Sequence, residues 1–129
     1  LYSAMGYPAE YGYLEQTLAP DDDPLDILVI GTEPTYPGCV VPSRVIGYLT
    51  MIDDGKEDYK LLAVVDCDPR NDNIQELSDV SPFILDEIKN FFENYKHLQR
   101  IDVIVRDYHS KAEALELIEE SRRRYREHV

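Results

Sequence analysis

Residues 21–30 read DDDPLDILVI, an acidic cluster that leads directly into the apolar run Ile27-Leu28-Val29-Ile30. An uninterrupted apolar run of this length is typical of a buried β-strand. Residues 61–65 predict a second buried strand, and residues 39–52 predict one long strand or two strands broken near Pro42. Residues 1–26 are rich in tyrosine, glycine and proline, and we expect them to be irregular.

Two helices are predicted in the second half of the chain. Ser81-Pro82 has the form of an N-cap followed by a proline in the first turn. Apolar residues then recur at spacings of four and three, which predicts one buried helix face formed by Ile84, Ile88, Phe91, Tyr95 and Leu98. Residues 101–105 predict a short strand. A capping box of Ser110 and Glu113 begins the last helix, whose apolar stripe is predicted to be Leu115, Ile118 and Tyr125. Strands followed by helices indicate an α+β fold.

Composition and charge limit the possible partners. The chain has 129 residues, about one domain, and a formal net charge of −13. So negative a surface repels nucleic acid and anionic lipid, and no apolar run reaches the roughly 20 residues of a membrane span, so we expect neither partner. Cys39 and Cys67 form no CxxC motif and no leader opens the chain, so we expect a cytoplasmic protein. The helix dipole explains the basic run at residues 122–124.

Acidic residues are concentrated in two clusters, at residues 21–26 and 53–58, each beside a predicted strand end. Crowded carboxylates repel one another, and a hard divalent cation such as magnesium or manganese offsets that repulsion. Neither cluster has the glycine and glutamate spacing of an EF-hand loop, and the scattered histidines argue against zinc. The alternative is that both clusters are solvated turns.

Lysine and tyrosine residues accompany the acids. Lys60 follows Asp58 by two residues, so both side chains lie on one face if a strand includes them. Tyr95 lies on the apolar stripe of its helix, where a core role and a site role are both open. Carboxylates that hold metal, together with lysines and tyrosine hydroxyls, suit a phosphate-bearing substrate.

The segments YPAEYGY at residues 7–13 and DDDPLD at residues 21–26 closely resemble the signature region of soluble family I inorganic pyrophosphatases. The family pattern reads roughly YPxxYGY followed by DxDPxD. Further matches run in register, namely MIDD at 51–54, DYK at 58–60, DPR at 68–70 and FFENYK at 91–96. The resemblance covers residues 1 to about 98 and extends more weakly to the C-terminus.

This resemblance implies a fold, a reaction and a set of roles. The implied fold is a mostly antiparallel, OB-like β-barrel with two helices packed outside it. The implied reaction is hydrolysis of pyrophosphate to two phosphates by in-line attack of a metal-bound hydroxide in the cytoplasm, and the implied assembly of the parent protein is a homohexamer. The implied metal ligands, for Mg²⁺ or Mn²⁺, are Asp21, Asp26, Asp53 and Asp58. Asp23 matches the general base, and the implied substrate-binding residues are Tyr11, Lys60, Tyr95 and Lys96.

The chain departs from the family pattern at several positions. Asp22 stands where glycine is usual, and Asp54 stands where glutamate is usual, which leaves the role of Asp54 open. Family members carry further residues before the position of Leu1. We therefore expect residues 1–129 to be a single pyrophosphatase domain that lacks its N-terminal part, with an incomplete barrel and with weak activity or none.

Two alternatives of other kinds stay open on the residues alone. One is an acidic α+β binding module without catalysis, whose carboxylates are solvated or meet a basic partner. The other is a metal-dependent phosphohydrolase that acts on nucleotides or phosphomonoesters. Stabilisation by divalent ions separates the first from a pyrophosphatase, and substrate preference separates the second.

Overall fold

The computed structural model describes residues 9–32, 38–95 and 103–128, except for the side chain of Tyr95. The elements in chain order are β1 (Ala9–Leu14), β2 (Leu25–Ile30), β3 (Ser43–Asp53), β4 (Lys56–Val65), α1 (Pro82–Tyr95), β5 (Val103–His109) and α2 (Lys111–Glu127). Two short 3₁₀ helices, Pro69–Asn71 and Leu77–Asp79, lie between β4 and α1.

The five strands form one mixed sheet in the order β1-β2-β4-β3-β5. β2 and β4 run parallel, with Asp26 opposite Lys60, and the other three pairings are antiparallel. β4 is the central strand. Within the described ranges the sheet is not closed, and β1 and β5 form its edges. These elements confirm the predicted α+β class with a mostly antiparallel sheet.

Each face of the sheet is apolar and is covered by one helix. On one face, Leu28 and Leu62 belong to a buried cluster that also contains Ile88, Phe91 and Phe92 of α1. On the opposite face, the neighbouring positions of the same strands pack against Ala114, Leu117 and Ile118 of α2. Because both faces are covered, β2 and β4 carry uninterrupted apolar runs rather than an alternation of apolar and polar residues.

Two of our expectations are wrong in the described part of the chain. Residues 9–14 form β1, not irregular structure, because β1 pairs with β2 along its whole length and its two tyrosines favour a strand. Leu115 is 48% exposed, so it does not belong to the buried face of α2. That face is formed by Ala114, Leu117, Ile118 and Ser121, two of which are too small to stand out by hydrophobicity.

The remaining predicted elements agree with the structure apart from their ends. β5 extends to His109, beyond the predicted end at residue 105, while Leu98 and Ile101 lie outside the described residues. The predicted capping box of α2 is confirmed, since the Ser110 hydroxyl accepts a hydrogen bond from the Glu113 amide at 3.3 Å. In the part of the chain that is described, no helix combines the length and the apolar character needed to cross a membrane.

Candidate active site

Three of the predicted site residues meet around one ammonium group. Nζ of Lys60 lies 2.6 Å from Oδ2 of Asp26 and 2.8 Å from Oδ2 of Asp58. Alternation along β4 places Asp58 and Lys60 on the same face, as the two-residue spacing predicts. The parallel pairing of β2 with β4 brings Asp26 beside them. Lys60 is only 8% exposed, so a buried cation holds two carboxylates together.

Tyr11 of β1 borders this charged group. The Lys60 Nζ atom lies 5.3 Å from the centroid of the Tyr11 ring, within the range of a cation–π contact. The Tyr11 ring also has an apolar neighbour, because Phe92 of α1 packs edge-on against it with ring centroids 6.0 Å apart. Burial raises the pKa of Tyr11 to about 12, against the opposing effect of Lys60. Its phenol is therefore neutral at physiological pH and can donate a hydrogen bond.

The charges at Lys60 influence one another. Burial raises the pKa of Asp26; the bond from Lys60 opposes this rise, and the charges of Asp58 and Asp21 add to it. Burial by itself would lower the pKa of Lys60, but Tyr11, Asp26 and Asp58 together raise it. The Lys60 side chain is therefore protonated and positively charged at physiological pH. The charge of Asp21 therefore reaches this group through Asp26.

The other acidic residues lie in turns. Asp21, Asp22 and Asp23 are exposed in the connection that leads into β2, where the Asp23 amide donates to Oδ1 of Asp21 at 3.1 Å. Asp53 is the last residue of β3, and Asp54 with Gly55 forms the two-residue turn to β4. Their φ angles of 51° and 78° agree with a type I′ hairpin turn. Asp54 is thus an exposed residue of a tight hairpin turn.

The predicted metal ligands are only partly assembled. Among the described residues, no three acidic, histidine or cysteine side chains lie close enough together to hold an ion. Asp26 and Asp58 instead gather on Lys60, and Asp21 acts on Asp26 through its charge. The donor chemistry nevertheless fits a hard divalent cation, because these groups are carboxylates whose mutual repulsion such an ion relieves.

Two predicted substrate-binding residues cannot be placed. Tyr95 is the last residue of α1, and its side chain is not described; Lys96 lies outside the described residues. A further contact escaped the sequence reasoning altogether. Arg124 of α2 reaches Asp22 in the first acidic cluster at 3.3 Å, across a separation of 102 residues. No local sequence pattern indicates so distant a pair.

The raised pKa of Tyr11 predicts a loss of stability in alkali. An unfolded tyrosine ionises near pH 10, whereas the folded chain keeps the Tyr11 proton to about pH 12. The unfolded state therefore binds fewer protons in this interval, and the free energy of unfolding falls as the pH rises, by at most about 3 kcal/mol from this group. Tyr11→Phe should flatten the fall, as measured by urea unfolding at about pH 9 and about pH 11.

Tyr13→Phe is the matched control, because Tyr13 lies two positions along the same strand and is 63% exposed. It should keep the alkaline loss of the wild-type chain. An equal loss in both phenylalanine variants would show that Tyr11 does not retain its proton on folding.

Comparison with known proteins shows the family of this chain. A family model described as inorganic pyrophosphatase matches residues 1–126. The inorganic pyrophosphatase of Geobacillus stearothermophilus is 53% identical over 127 residues, which cover 98% of this chain and 77% of the relative. That of Bacillus sp. (strain PS3) is 52% identical, with the same coverage.

Solved structures show the same likeness. The inorganic pyrophosphatase of Helicobacter pylori matches with a TM-score of 0.88 and 37% identity, over 98% of this chain and 76% of that one. The enzyme from Thermus thermophilus matches with a TM-score of 0.86 and 42% identity, over 90% and 68% of the two chains. These matches confirm the predicted fold class, the resemblance and the expectation of an inorganic diphosphatase. The chain belongs to the inorganic pyrophosphatase family.

Proposed function

We propose that the group around Lys60 is the centre at which the protein hydrolyses pyrophosphate to two phosphates with the help of a divalent cation, with weak activity or none in residues 1–129 alone. The observation that carries the proposal is the buried Lys60 ammonium, held 2.6 and 2.8 Å from two carboxylates beside a neutral tyrosine, in a chain of this family. A site for diphosphate needs cationic groups that bind its oxygens and carboxylates that hold the accompanying metal ion. Both kinds of group are present here.

Asp21, Asp26, Asp53 and Asp58 are the residues proposed to hold the ion, for which Mg²⁺ and Mn²⁺ are the candidates. When bound, the ion supplies Lewis acidity that activates water and neutralises phosphate charge. Asp26 and Asp58 are already ordered by Lys60, so they present their oxygens without a further loss of side-chain freedom. Asp21 is exposed and can approach from the turn before β2.

Lys60 is proposed to bind a phosphate oxygen. An ammonium group has three N–H donors, so it can donate to a phosphate oxygen while it still contacts at least one of the two carboxylates. Its position is fixed before the substrate arrives, and it can oppose charge that develops on the departing phosphate. Tyr11, with its retained phenol proton, is proposed to donate a second hydrogen bond to the substrate side of the group.

Asp23 is proposed as the general base that takes a proton from the attacking water. It is exposed, and its amide is tied to Asp21, so the two residues are held as neighbours in one turn. Tyr95 and Lys96 are proposed to bind phosphate oxygens from the end of α1, on the resemblance of residues 91–96. We also propose that the full-length protein is a cytoplasmic homohexamer, which light scattering would detect as six times the mass of one subunit.

Comparing three substrates tests the proposal. With magnesium present, phosphate release from pyrophosphate should exceed release from ATP and from a simple phosphomonoester by about two orders of magnitude. The melting temperature should rise by several degrees with magnesium or manganese, because an ion that binds only the folded state stabilises it.

Each alternative gives a different result in this comparison. Equal release from all three substrates would indicate a general phosphohydrolase. No release together with no ion-dependent rise in melting temperature would indicate an acidic binding module, whose carboxylates are merely solvated.

A further inference from the structure

The turn that carries Asp21 and Asp23 has an unusual conformation. The Ala19 amide donates to the Asp23 carbonyl at 2.8 Å, and the Asp22 amide donates to the Ala19 carbonyl at 2.9 Å. Asp22, between the two proposed functional residues, has a φ of 67°, in the left-handed region that favours glycine. The turn therefore closes tightly, and it does so without the glycine that would accept this conformation freely.

α2 contacts this turn from outside. The Leu18 amide donates to the Ser121 carbonyl at 2.9 Å. Three residues further along the same helix, Nη2 of Arg124 donates to the Pro20 carbonyl at 3.4 Å and to Oδ1 of Asp22 at 3.3 Å. Residues three apart lie on one helix face, so these contacts form one line of attachment along the turn.

The Arg124 side chain lies against the protein rather than extending into water. It is 30% exposed, and its Nε atom is buried without a hydrogen-bond partner in the described part of the chain. The guanidinium is therefore confined near the two acceptors on the turn. Asp22 itself is 72% exposed, so the pair adds little to global stability, and its effect is local.

From these contacts we propose that Arg124 is a positioning residue: it holds Asp22, and through Asp22 the turn, so that Asp21 and Asp23 are ordered before metal and substrate bind. The inference rests on the proposed function of Asp21 and Asp23. Glycine is usual at the position of Asp22 in the family that the sequence resembles. A glycine has no side chain to pair with Arg124, so the ion pair depends on the aspartate of this chain.

Amide hydrogen exchange on the metal-free chain tests the contact directly. In Arg124→Ala, the amides of Ala19 and Asp22 should exchange about three- to fivefold faster, the range expected for loss of an exposed ion pair. Amides of the central strand β4 should be unchanged, which shows that the fold is intact. Arg123→Ala is the matched control, since it removes an exposed arginine from the same turn of α2.

The consequence for the site is measured by calorimetric titration with Mn²⁺. Arg124→Ala should raise the dissociation constant about three- to fivefold, Arg124→Lys should recover part of the loss, and Arg123→Ala should bind as the wild type does. If exchange at Ala19 and Asp22 is the same in the two alanine variants, or if it quickens with no change in Mn²⁺ affinity, the positioning role is wrong. Absence of Mn²⁺ binding by the wild type would instead overturn the proposed function.

Discussion

Asp26→Asn should reduce kcat for pyrophosphate hydrolysis about a thousandfold, the scale at which loss of one preorganised electrostatic group acts on an enzyme. Asp26 is the carboxylate that Lys60 contacts at 2.6 Å and that both Asp58 and Asp21 influence, so it joins the two acidic clusters. Asparagine keeps the shape and one oxygen but removes the negative charge that attracts a divalent cation. Initial rates of phosphate release by the full-length protein at saturating magnesium measure the effect, and Mn²⁺ titration should show weakened binding.

Asp72→Asn provides the matched control, because it makes the same chemical change at an exposed residue that follows the first 3₁₀ helix. Its rate should stay within about twofold of the wild type, as for surface substitutions away from special contacts. A rate for Asp26→Asn above about a tenth of the wild-type value, with unchanged Mn²⁺ affinity, would remove Asp26 from the proposed centre.

Lys60→Met should lower the free energy of unfolding by about 2–3 kcal/mol in the presence of a chelator. The substitution leaves Asp26 and Asp58 side by side without their cation. The Asp58 side chain is only 18% exposed, but that of Asp26 is 38% exposed, so water screens part of the penalty that a fully buried pair would suffer. Urea unfolding measures the loss.

Magnesium should raise the free energy of unfolding of Lys60→Met more than that of the wild-type chain. In the variant no lysine competes with the ion for the carboxylates. Lys89→Met, at an exposed position of α1, is the control and should unfold with the wild-type midpoint. If Lys60→Met also unfolds at the wild-type urea concentration, the two short ion pairs do not contribute to stability, and Lys60 is held by packing alone.

The sequence was most informative where two residues share one strand. The two-residue spacing of Asp58 and Lys60 predicts a common face, and their 2.8 Å contact confirms it. The place of Asp26 could not be derived in this way. Asp26 and Lys60 are 34 residues apart, and their contact depends on the parallel register of β2 with β4, which no local pattern specifies.

Misplaced elements have physical explanations as well. β1 is a strand because of its partner β2 and because Tyr11 and Tyr13, on either side of Gly12, favour a strand. Hydrophobicity alone selects Leu115 for the buried face of α2, whereas the structure buries Ala114 and Ser121, where small side chains allow close approach to neighbouring elements. The contact of Arg124 with the first acidic cluster depends on the docking of α2, a tertiary event.

The central place of β4 in the sheet has a consequence for binding. From Lys60 onward β4 has hydrogen-bonded neighbours on both sides, and Asp58 is paired with β3, so both residues stand on backbone that the sheet holds in place. The conformational entropy of the ammonium and its carboxylate neighbour is lost during folding and not during each encounter with a ligand. Affinity for a diphosphate can therefore come from these rigidly held residues of β4. The exposed turns around them can adjust to the shape of the ligand.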